Sequence, residues 1–308
     1  MTHVDLQAAS DFMATHARIL DRLRFRVLVG DPVDAGQLLA AVDAYRNPDG
    51  GYGWGLECDL RSPESQVGAA LHAFEVFEDA AAPTPYQGAA LCDWLASITH
   101  PDGGLPFALP ITDQAGSAPW WGMSDPSESS LQLTSVVVAA AHRAAAHDPA
   151  IRTHTWLDRA TRYCIAAAEG AGTEVGKPHA LELAYAVRLL DLEQVRTIYP
   201  EAASALDVLA AYIPADGMVH VDGGTENEYM RPLDFAPLPG TPARRHLASA
   251  DVPGELDRLE RGQKDDGGWT VEYARISPAG AMEWRGHATV RALGILRANG
   301  ILRANGVL

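Results

Sequence analysis

The sequence predicts an all-α protein folded as a single (α/α)6 toroid, a ring of six helical hairpins. Alanine and leucine dominate the chain, and the β-branched runs that mark strands are nearly absent. A glycine-rich turn recurs along the chain, which indicates a repeat architecture. The helices that follow the turns are more apolar than those that precede them, which predicts an inner and an outer layer of helices.

The glycine-rich turn has four clear copies, RNPDGGYGWG and the paler THPDGGLPF, IPADGMVHV and QKDDGGWTVEY. Their central glycines are Gly50, Gly103, Gly217 and Gly267, at intervals of 53, 114 and 50 residues. A degenerate copy at residues 169–178 falls in the double interval. Five turns at this period, each joining one helix to the next, predict eleven or twelve helices in hairpins. Six such units are enough to close a ring, and an open solenoid is the alternative.

The helices follow from these turns. Predicted inner helices cover residues 5–28, 62–78, 126–147, 177–192, 233–250 and 278–298, and predicted outer helices cover residues 32–45, 84–98, 151–168, 196–212 and 252–262. Ser62 before Pro63 is a helix-start signal, because proline suits the first helical position. A short hairpin is predicted at residues 218–221. All of this forms one domain over residues 1–308, whose tail at 295–308 is a short duplication with no assigned function.

Composition limits the possible partners. The formal charge of −16 disfavours nucleic acids and anionic membranes, because both carry negative charge. No apolar run has the length of a membrane span or the character of a signal peptide, so we expect a cytoplasmic protein. The three cysteines are scattered without CxxC spacing, which disfavours disulfides and structural zinc. We expect no cofactor, and a small-molecule substrate of apolar character.

A family resemblance rests on the repeat turns. The segment from Gln263 to Trp269 matches the Gln-x-x-x-Gly-x-Trp repeat of squalene and terpenoid cyclases, and the turns that start at Arg46 and Thr99 are degenerate versions in the same register. Over nearly its whole length the chain resembles the terpenoid cyclase/protein prenyltransferase superfamily. It looks most like small bacterial prenyltransferase-like proteins, with a GLxxDL-type segment after the first turn.

The chain also departs from that superfamily. The Asp-x-Asp-Asp acid of class II cyclases is absent, and the Asp-x-Cys plus His zinc set of protein prenyltransferases has no counterpart. Neither parent activity can therefore be carried over directly, since a fold does not fix a function.

The catalytic candidates are Glu57, Asp59, Glu283 and His287. Each turn leads to the start of an inner helix, so polar side chains there should meet at one mouth of the barrel, near positive helix ends. Glu57 and Asp59 lie too far ahead of Ser62 to cap its helix, so a pocket role and binding to the turn itself both stay open. Glu283 and His287 are spaced i,i+4, which predicts a hydrogen bond in a general acid–base pair or in a buried, satisfied histidine.

The substrate-binding candidates are aromatic and charged residues near the same mouth, namely Trp54, Trp120, Trp121, Asp125, Glu226, Tyr229, Trp284 and Arg285. Several have structural alternatives. Asp125 can cap a helix, the Trp120–Trp121 pair can be a lid or packing, and Trp54 can pack the repeat. His72, His142 and His154 are expected at the surface or in packing. We predict no metal site, because no HxxxH or HExxH pattern is present.

Three functions remain open. The first is an isoprenoid-type cyclase or related transferase, with Asp59 or Glu57 as the acid and Trp120, Trp121 and Trp284 as walls that stabilise a cation. The second is a carbohydrate-active enzyme that pairs Asp59 with Asp125, Glu226 or Glu283. The third is a non-catalytic binding or scaffold protein whose acidic mouth receives a basic ligand.

Overall fold

The computed structural model describes residues 4–171, 177–273 and 276–302. Helices hold 55% of the residues and strands 3%, which confirms the all-α class. Most of the degenerate turn, residues 172–176, lies outside the described residues, as do residues 303–308 of the duplicated tail. Within the described residues, no helix is long and apolar enough to cross a membrane.

The described part of the chain contains sixteen helices and one small hairpin. The helices are α1 (Leu6–His16), α2 (Ile19–Val29), α3 (Ala35–Asp43), α4 (Val67–Ala80), α5 (Gln87–Ile98), α6 (Pro119–Met123), α7 (Leu131–Ala145), α8 (Pro149–Arg152), α9 (Thr155–Glu169), α10 (Ala180–Leu190), α11 (Glu193–Ile198), α12 (Ala202–Ala210), α13 (Pro232–Phe235), α14 (Pro242–His246), α15 (Val252–Arg261) and α16 (Pro278–Ala298). The strands β1 (Val219–His220) and β2 (Tyr229–Met230) pair antiparallel, with Val219 opposite Met230.

The first predicted helix is two helices. Ala17 and Arg18 are extended, with ψ of 156° and 152°, so α1 ends before them and α2 begins after them. Long-range contacts hold this break. The Arg18 guanidinium donates to the Leu56 carbonyl at 3.0 Å and pairs with Asp21 at 2.8 Å. The prediction of one continuous helix over residues 5–28 was wrong.

Two inner helices start later than their sequence signals indicate. The segment after the first turn stays non-helical up to α4 and pairs with that turn. The backbone N–H of Trp54 donates to Ser62, and that of Gln66 donates to Tyr52. The second turn repeats this pairing, since the N–H of Ser130 donates to Leu105 and α7 begins only after Ser130. The predicted starts at residues 62 and 126 were wrong for the same reason.

The remaining helices follow the predictions more closely. The helices α3, α5, α10, α15 and α16 lie within a few residues of their predicted ranges. The predicted helices over 151–168 and 196–212 are each divided in two. The predicted helix over 233–250 is reduced to the short α13 and α14, because Pro237, Pro239 and Gly240 interrupt it.

The four glycine turns share one structure. In each, an aspartate carboxylate accepts the backbone N–H two residues later, at 2.9 to 3.2 Å, and the glycine between them has a φ of 73° to 102°. Glycine suits this left-handed backbone because it has no Cβ. The four pairs are Asp49 and Gly50, Asp102 and Gly103, Asp216 and Gly217, and Asp266 and Gly267.

Three of these glycines also touch the backbone of a helix in the following unit. A Cβ on Gly50 would lie 2.7 Å from the Ala90 carbonyl oxygen of α5, and a Cβ on Gly103 would lie 2.9 Å from that of Arg159 in α9. Gly267 makes the corresponding contact with Ala8 of α1. The last turn of the protein therefore packs against its first helix.

Seven of the described helices contact one another in a series that includes those after the glycine turns. α4 packs on α7 and α7 on α10, and these contacts supply much of the core with alanine, valine, leucine and phenylalanine side chains. The contacts continue from α10 to α13, α13 to α15, α15 to α16, α16 to α2 and α2 to α4. This series returns to its starting helix and positions the site described next.

Candidate functional site

Two neighbouring helices and one non-helical segment bring titratable and aromatic side chains together inside the protein. We call this set the interior cluster: Glu57, Asp59, His72, Glu75, Trp284 and His287. Glu57 and Asp59 come from the segment before α4, His72 and Glu75 from α4, and Trp284 and His287 from α16. Arg24 of the adjacent α2 contacts the cluster. Four of the six members are residues that the sequence predicts at a site.

His72 lies at the centre of the cluster, between two carboxylates. Its Nε2 is 3.2 Å from Oε2 of Glu57, and its Nδ1 is 3.1 Å from Oε2 of Glu75. Burial, which lowers the pKa of an imidazole, is outweighed by these carboxylates, and the pKa of His72 rises to about 9. Of the two roles expected for His72, the structure excludes a surface position, since the side chain is buried and faces both acids.

Glu57 and Asp59 form a pair of carboxyl groups whose pKa values are shifted in opposite directions. Both are buried, with 5% and 6% of their surface exposed, and their side chains are in hydrogen-bonding contact. Burial raises the pKa of Asp59 to about 8, and the adjacent negative charge of Glu57 adds to the rise. The pKa of Glu57 is lowered despite burial, because His72 favours its ionised form. Asp59 is therefore a neutral acid at pH 7, beside an ionised Glu57.

Trp121 fixes the position of Asp59. Its indole Nε1 donates to Oδ1 of Asp59 at 2.9 Å, and its ring packs on Phe107 with centroids 5.0 Å apart. Trp121 is buried whereas its neighbour Trp120 is 36% exposed, so the two tryptophans do not act as a pair. Gly68 of α4 leaves room for this contact, since a Cβ there would lie 3.2 Å from both Glu57 and Trp121.

His287 and Trp284 present polar atoms that the protein does not satisfy. Among the described residues, Nδ1 of His287, Nε1 of Trp284 and Oε1 of Glu57 are buried without a hydrogen-bond partner. Burial lowers the pKa of His287 to about 4, so its imidazole is neutral at pH 7. Buried polar atoms are normally bonded, so three such atoms in one cluster are typical of a binding site.

The predicted bond between Glu283 and His287 is replaced by two other contacts. Glu283 pairs with Arg61, and Nδ1 of His287 lies 3.8 Å from Oε2 of Glu75. His287 also packs edge-on against His72, with ring centroids 5.1 Å apart. Ligand atoms of His72, Glu75 and His287 all lie within 4.8 Å of one another, so this trio could hold a metal ion.

Further charged side chains lie deep in the protein and still have accessible surface. Arg291 of α16 pairs with Asp234 of α13 at 2.5 Å, and 44% and 20% of their side chains are exposed although both lie deep in the protein. Arg188 of α10 faces Arg291, and burial together with this neighbour lowers the pKa of Arg188 to about 10.

Several predicted substrate-binding residues lie outside the interior cluster. Trp54 is 58% exposed and donates to Asn47, so it neither lines the cluster nor packs the repeat. Arg285 pairs with Asp266 of the last glycine turn and covers the ring of Phe12, so it supports the turn.

Other predicted residues lie at the surface. Asp125 is exposed and accepts the N–H and hydroxyl of Ser127, so it closes a local turn and does not cap α7. Glu226 is exposed in the loop between β1 and β2, and Tyr229 packs against His220 in the same hairpin.

His142 is a buried packing residue, as predicted, bonded to the Thr161 hydroxyl at 2.9 Å.

The sequence contains a signal for the members that were missed. His72 and Glu75 are spaced i,i+3 on α4, and residues at this spacing lie on one face of a helix. Nothing in the sequence indicates that His287 of α16 reaches the same face, because this contact depends on how α4 and α16 pack.

Two surface depressions, with volumes of about 410 and 590 Å³, lie away from the interior cluster. The first is lined by Gln263, Asp265 and neighbouring residues, and the second by Asp158, Arg162 and residues nearby. Neither contains a member of the interior cluster.

No protein-family model matches this chain, and no curated protein is significantly similar to it.

Proposed function

We propose that this protein is an isoprenoid-type cyclase or a related transferase or lyase, in which Asp59 donates a proton to a largely apolar small molecule. The observation that carries the proposal is the buried pair of Asp59 and Glu57, in which the pKa of Asp59 is raised to about 8. An acid that stays protonated at neutral pH can protonate a weakly basic substrate, as an ionised carboxylate cannot.

In the proposed step, the π electrons of a substrate alkene form a C–H bond with the proton of Asp59, or an epoxide oxygen takes that proton. Asp59 is left as a carboxylate, and a carbocation forms on the substrate. Loss of a proton from a neighbouring carbon to a base ends the reaction. Asp59 then regains a proton from solvent.

Aromatic groups near Asp59 support this chemistry. Trp121 donates to Asp59, and Trp284 contacts Tyr273 edge-on with ring centroids 5.3 Å apart. Tyr273 also lies close enough to Glu57 and Asp59 for their charges to raise its pKa, after the larger effect of burial. Aromatic faces attract cations by about 0.5–2 kcal/mol each, so they can stabilise a carbocation in the interior.

The proposal extends to the complete (α/α)6 toroid. Because α1 and α2 are separate helices, they complete a set of six pairs, each with one outer and one inner helix. The pairs are α1 and α2, α3 and α4, α5 and α7, α9 and α10, α12 and α13, and α15 and α16. The circuit of helix contacts, which passes through the outer helix α15 between α13 and α16, and the packing of Gly267 on α1 support a closed ring. In such a ring the interior cluster and the charged residues around Arg291 face the central space.

The carbohydrate-active alternative has less support. Glycosidases separate their two catalytic carboxyl groups by about 5 Å or more, whereas Glu57 and Asp59 are in contact. Two of the suggested partners, Asp125 and Glu226, are exposed at the surface. A non-catalytic binding protein would also fit an internal polar space, and turnover of any substrate excludes it as a complete account.

The test is an assay of linear polyprenyl alcohols, diphosphates and epoxides in D2O, with products analysed by mass spectrometry. For an alkene substrate, proton donation by Asp59 predicts one solvent-derived, non-exchangeable deuterium on carbon in the cyclised product. Asp59→Asn should lower the rate by about 10²–10⁴-fold, since the carboxamide is not an acid. The matched control Asp125→Asn removes an exposed carboxylate of the same type and should leave the rate unchanged.

Cyclisation at an unchanged rate in Asp59→Asn would show that another group supplies the proton. If the panel gives no product with the folded protein, the isoprenoid assignment fails.

A further inference from the structure

The trio of His72, Glu75 and His287 has the geometry of a metal site. Nδ1 of His72 is 3.1 Å from Oε2 of Glu75, and Nδ1 of His287 is 3.8 Å from the same oxygen. One ligand atom from each of the three residues lies within 4.8 Å of the other two. Two ligands at about 2.0–2.2 Å from a common ion lie at most about 4.4 Å apart, so the separations of 3.1 and 3.8 Å fit one ion.

Unsatisfied polar atoms provide a second observation. Nδ1 of His287 is buried without a hydrogen-bond partner in the part of the chain that the structure describes, and so is Oε1 of Glu57, a residue with only 5% of its surface exposed. A nitrogen lone pair in this position either remains unsatisfied, which is costly, or binds a ligand.

The local charges favour a cation. Four carboxylates surround the trio or belong to it, those of Asp21, Glu57, Glu75 and Asp79. Two guanidinium groups oppose them, those of Arg18 and Arg24. The excess is one negative charge while His72 is protonated and two when His72 is neutral, as a metal ligand must be, and two equals the charge of one divalent ion. Taking such charges out of water is costly unless opposite charge accompanies them.

The groups around the trio have the arrangement that supports metal ligands. If a metal ion displaces the proton of Nδ1, His72 keeps the proton of Nε2, which faces Oε2 of Glu57 at 3.2 Å, and its Nδ1 lone pair and Glu75 can share the ion. A carboxylate on the outer nitrogen is the usual partner of a metal-bound histidine. Arg24 binds Glu75 at 3.1 Å and Asp79 at 2.5 Å, which fixes the orientation of the Glu75 carboxylate.

We propose that His72, Glu75 and His287 bind one divalent transition-metal ion, such as Zn²⁺, Fe²⁺ or Co²⁺, between α4 and α16. Two imidazoles and one carboxylate suit these ions better than Mg²⁺ or Ca²⁺, which prefer oxygen ligands. Three protein ligands leave coordination positions for water or substrate. The site goes beyond acid catalysis by Asp59, which is not one of the ligands.

The test uses the full-length protein after dialysis against a chelator. Titration with Co²⁺, followed by visible absorption, and with Zn²⁺, followed by calorimetry, should show one ion bound per chain. Loss of an outer partner of a ligand costs about 10–100-fold in affinity, so His287→Gln should weaken binding by about 100-fold or more. Glu75→Gln should have a similar effect and serves as a second variant if His287→Gln does not fold.

The matched control is His142→Gln, which removes another buried histidine, located on α7 and bonded to Thr161. Its affinity for Co²⁺ should equal that of the unaltered protein. Asp59→Asn should also bind the ion normally, so failure of the acid mechanism and failure of the metal site are distinguishable. The proposal is overturned if the unaltered protein binds no stoichiometric ion, or if His287→Gln and His142→Gln bind it equally well.

Discussion

At the scale of single residues, the environment of each carboxyl group decides its charge. Glu57 contacts the His72 imidazole, which favours its ionised form. Asp59 receives only a neutral indole N–H from Trp121 and faces the negative charge of Glu57. Two acids with one residue between them therefore differ in charge at pH 7, since Glu57 is ionised and Asp59 is neutral. Asp59 can then donate a proton, and Glu57 can orient it.

The raised pKa of Asp59 has a consequence for stability. The folded protein retains the proton up to about pH 8, whereas an unfolded aspartate releases it near pH 4. The contribution of Asp59 to the free energy of unfolding therefore decreases as the pH rises from about 4 to about 8, by at most about 1.4 kcal/mol per pH unit, and is constant above that range.

Denaturant unfolding of the unaltered protein and Asp59→Asn at pH 5, 6, 7 and 8 measures this contribution. Because asparagine does not titrate, the unaltered protein should lose stability relative to the variant as the pH rises. Hydrogen bonds from Ser127 lower the pKa of Asp125, so this carboxylate is ionised at all four pH values. The difference in unfolding free energy between the unaltered protein and Asp125→Asn should therefore be constant over this range. A constant difference for Asp59→Asn as well would contradict a raised pKa.

At this scale the sequence identified part of the interior cluster. Glu57 and Asp59 were predicted because their position before an inner helix did not suit a cap, and the structure places both inside. Trp54 and Asp125 were predicted on equally good residue chemistry but are exposed. Residue type alone could not separate these cases, because burial depends on which segments cover a side chain.

At the scale of the elements, local helix signals compete with pairing to the glycine turns. Ser62 and Pro63 form a good start signal, yet this segment bonds to the first turn through its backbone and stays non-helical until α4 begins. The same competition moves the start of α7 to Ser130, whose hydroxyl accepts the N–H of Leu133. By contrast, α16 has the bounds predicted from sequence, with Ser277 as its cap.

The same non-helical segment holds the acids. Glu57 and Asp59 lie in its turns between Gly53 and Ser62, and Arg18 binds the Leu56 carbonyl beside them. A sequence pattern cannot show this pairing because its partners come from different elements.

At the scale of the whole molecule, the two ends of the chain hold each other. Gln263 exchanges two hydrogen bonds of 2.8 Å with the backbone of Asp5, and Gly267 packs on Ala8 of α1. The repeat period predicted hairpins in series, and these contacts join the last unit to the first. The split of the first helix was not predictable from its periodicity, since Arg18 is fixed by a distant carbonyl.

Gly267→Ala tests the importance of this junction. An added Cβ would lie 2.0 Å from the Ala8 carbonyl oxygen, and φ is 92°. Gly223→Ala is the matched control, because Gly223 has a similar φ of 79° with no atom within 4 Å of the added Cβ. The control should cost about 1–2 kcal/mol from backbone strain, and Gly267→Ala about 1–3 kcal/mol more from the clash. Thermal or denaturant unfolding measures both, and equal losses would show that the last turn does not pack on α1.

The central claim is that Asp59 is a neutral acid inside the protein at pH 7, and its carboxyl titration tests this most directly. Protein labelled with ¹³C at the aspartate side-chain carboxyl is titrated by NMR, and the Asp59 signal is assigned by its loss in Asp59→Asn. A midpoint near pH 8 is the predicted result. A midpoint near the ordinary value of about 4 would mean that Asp59 is ionised at neutral pH and cannot be the proton donor.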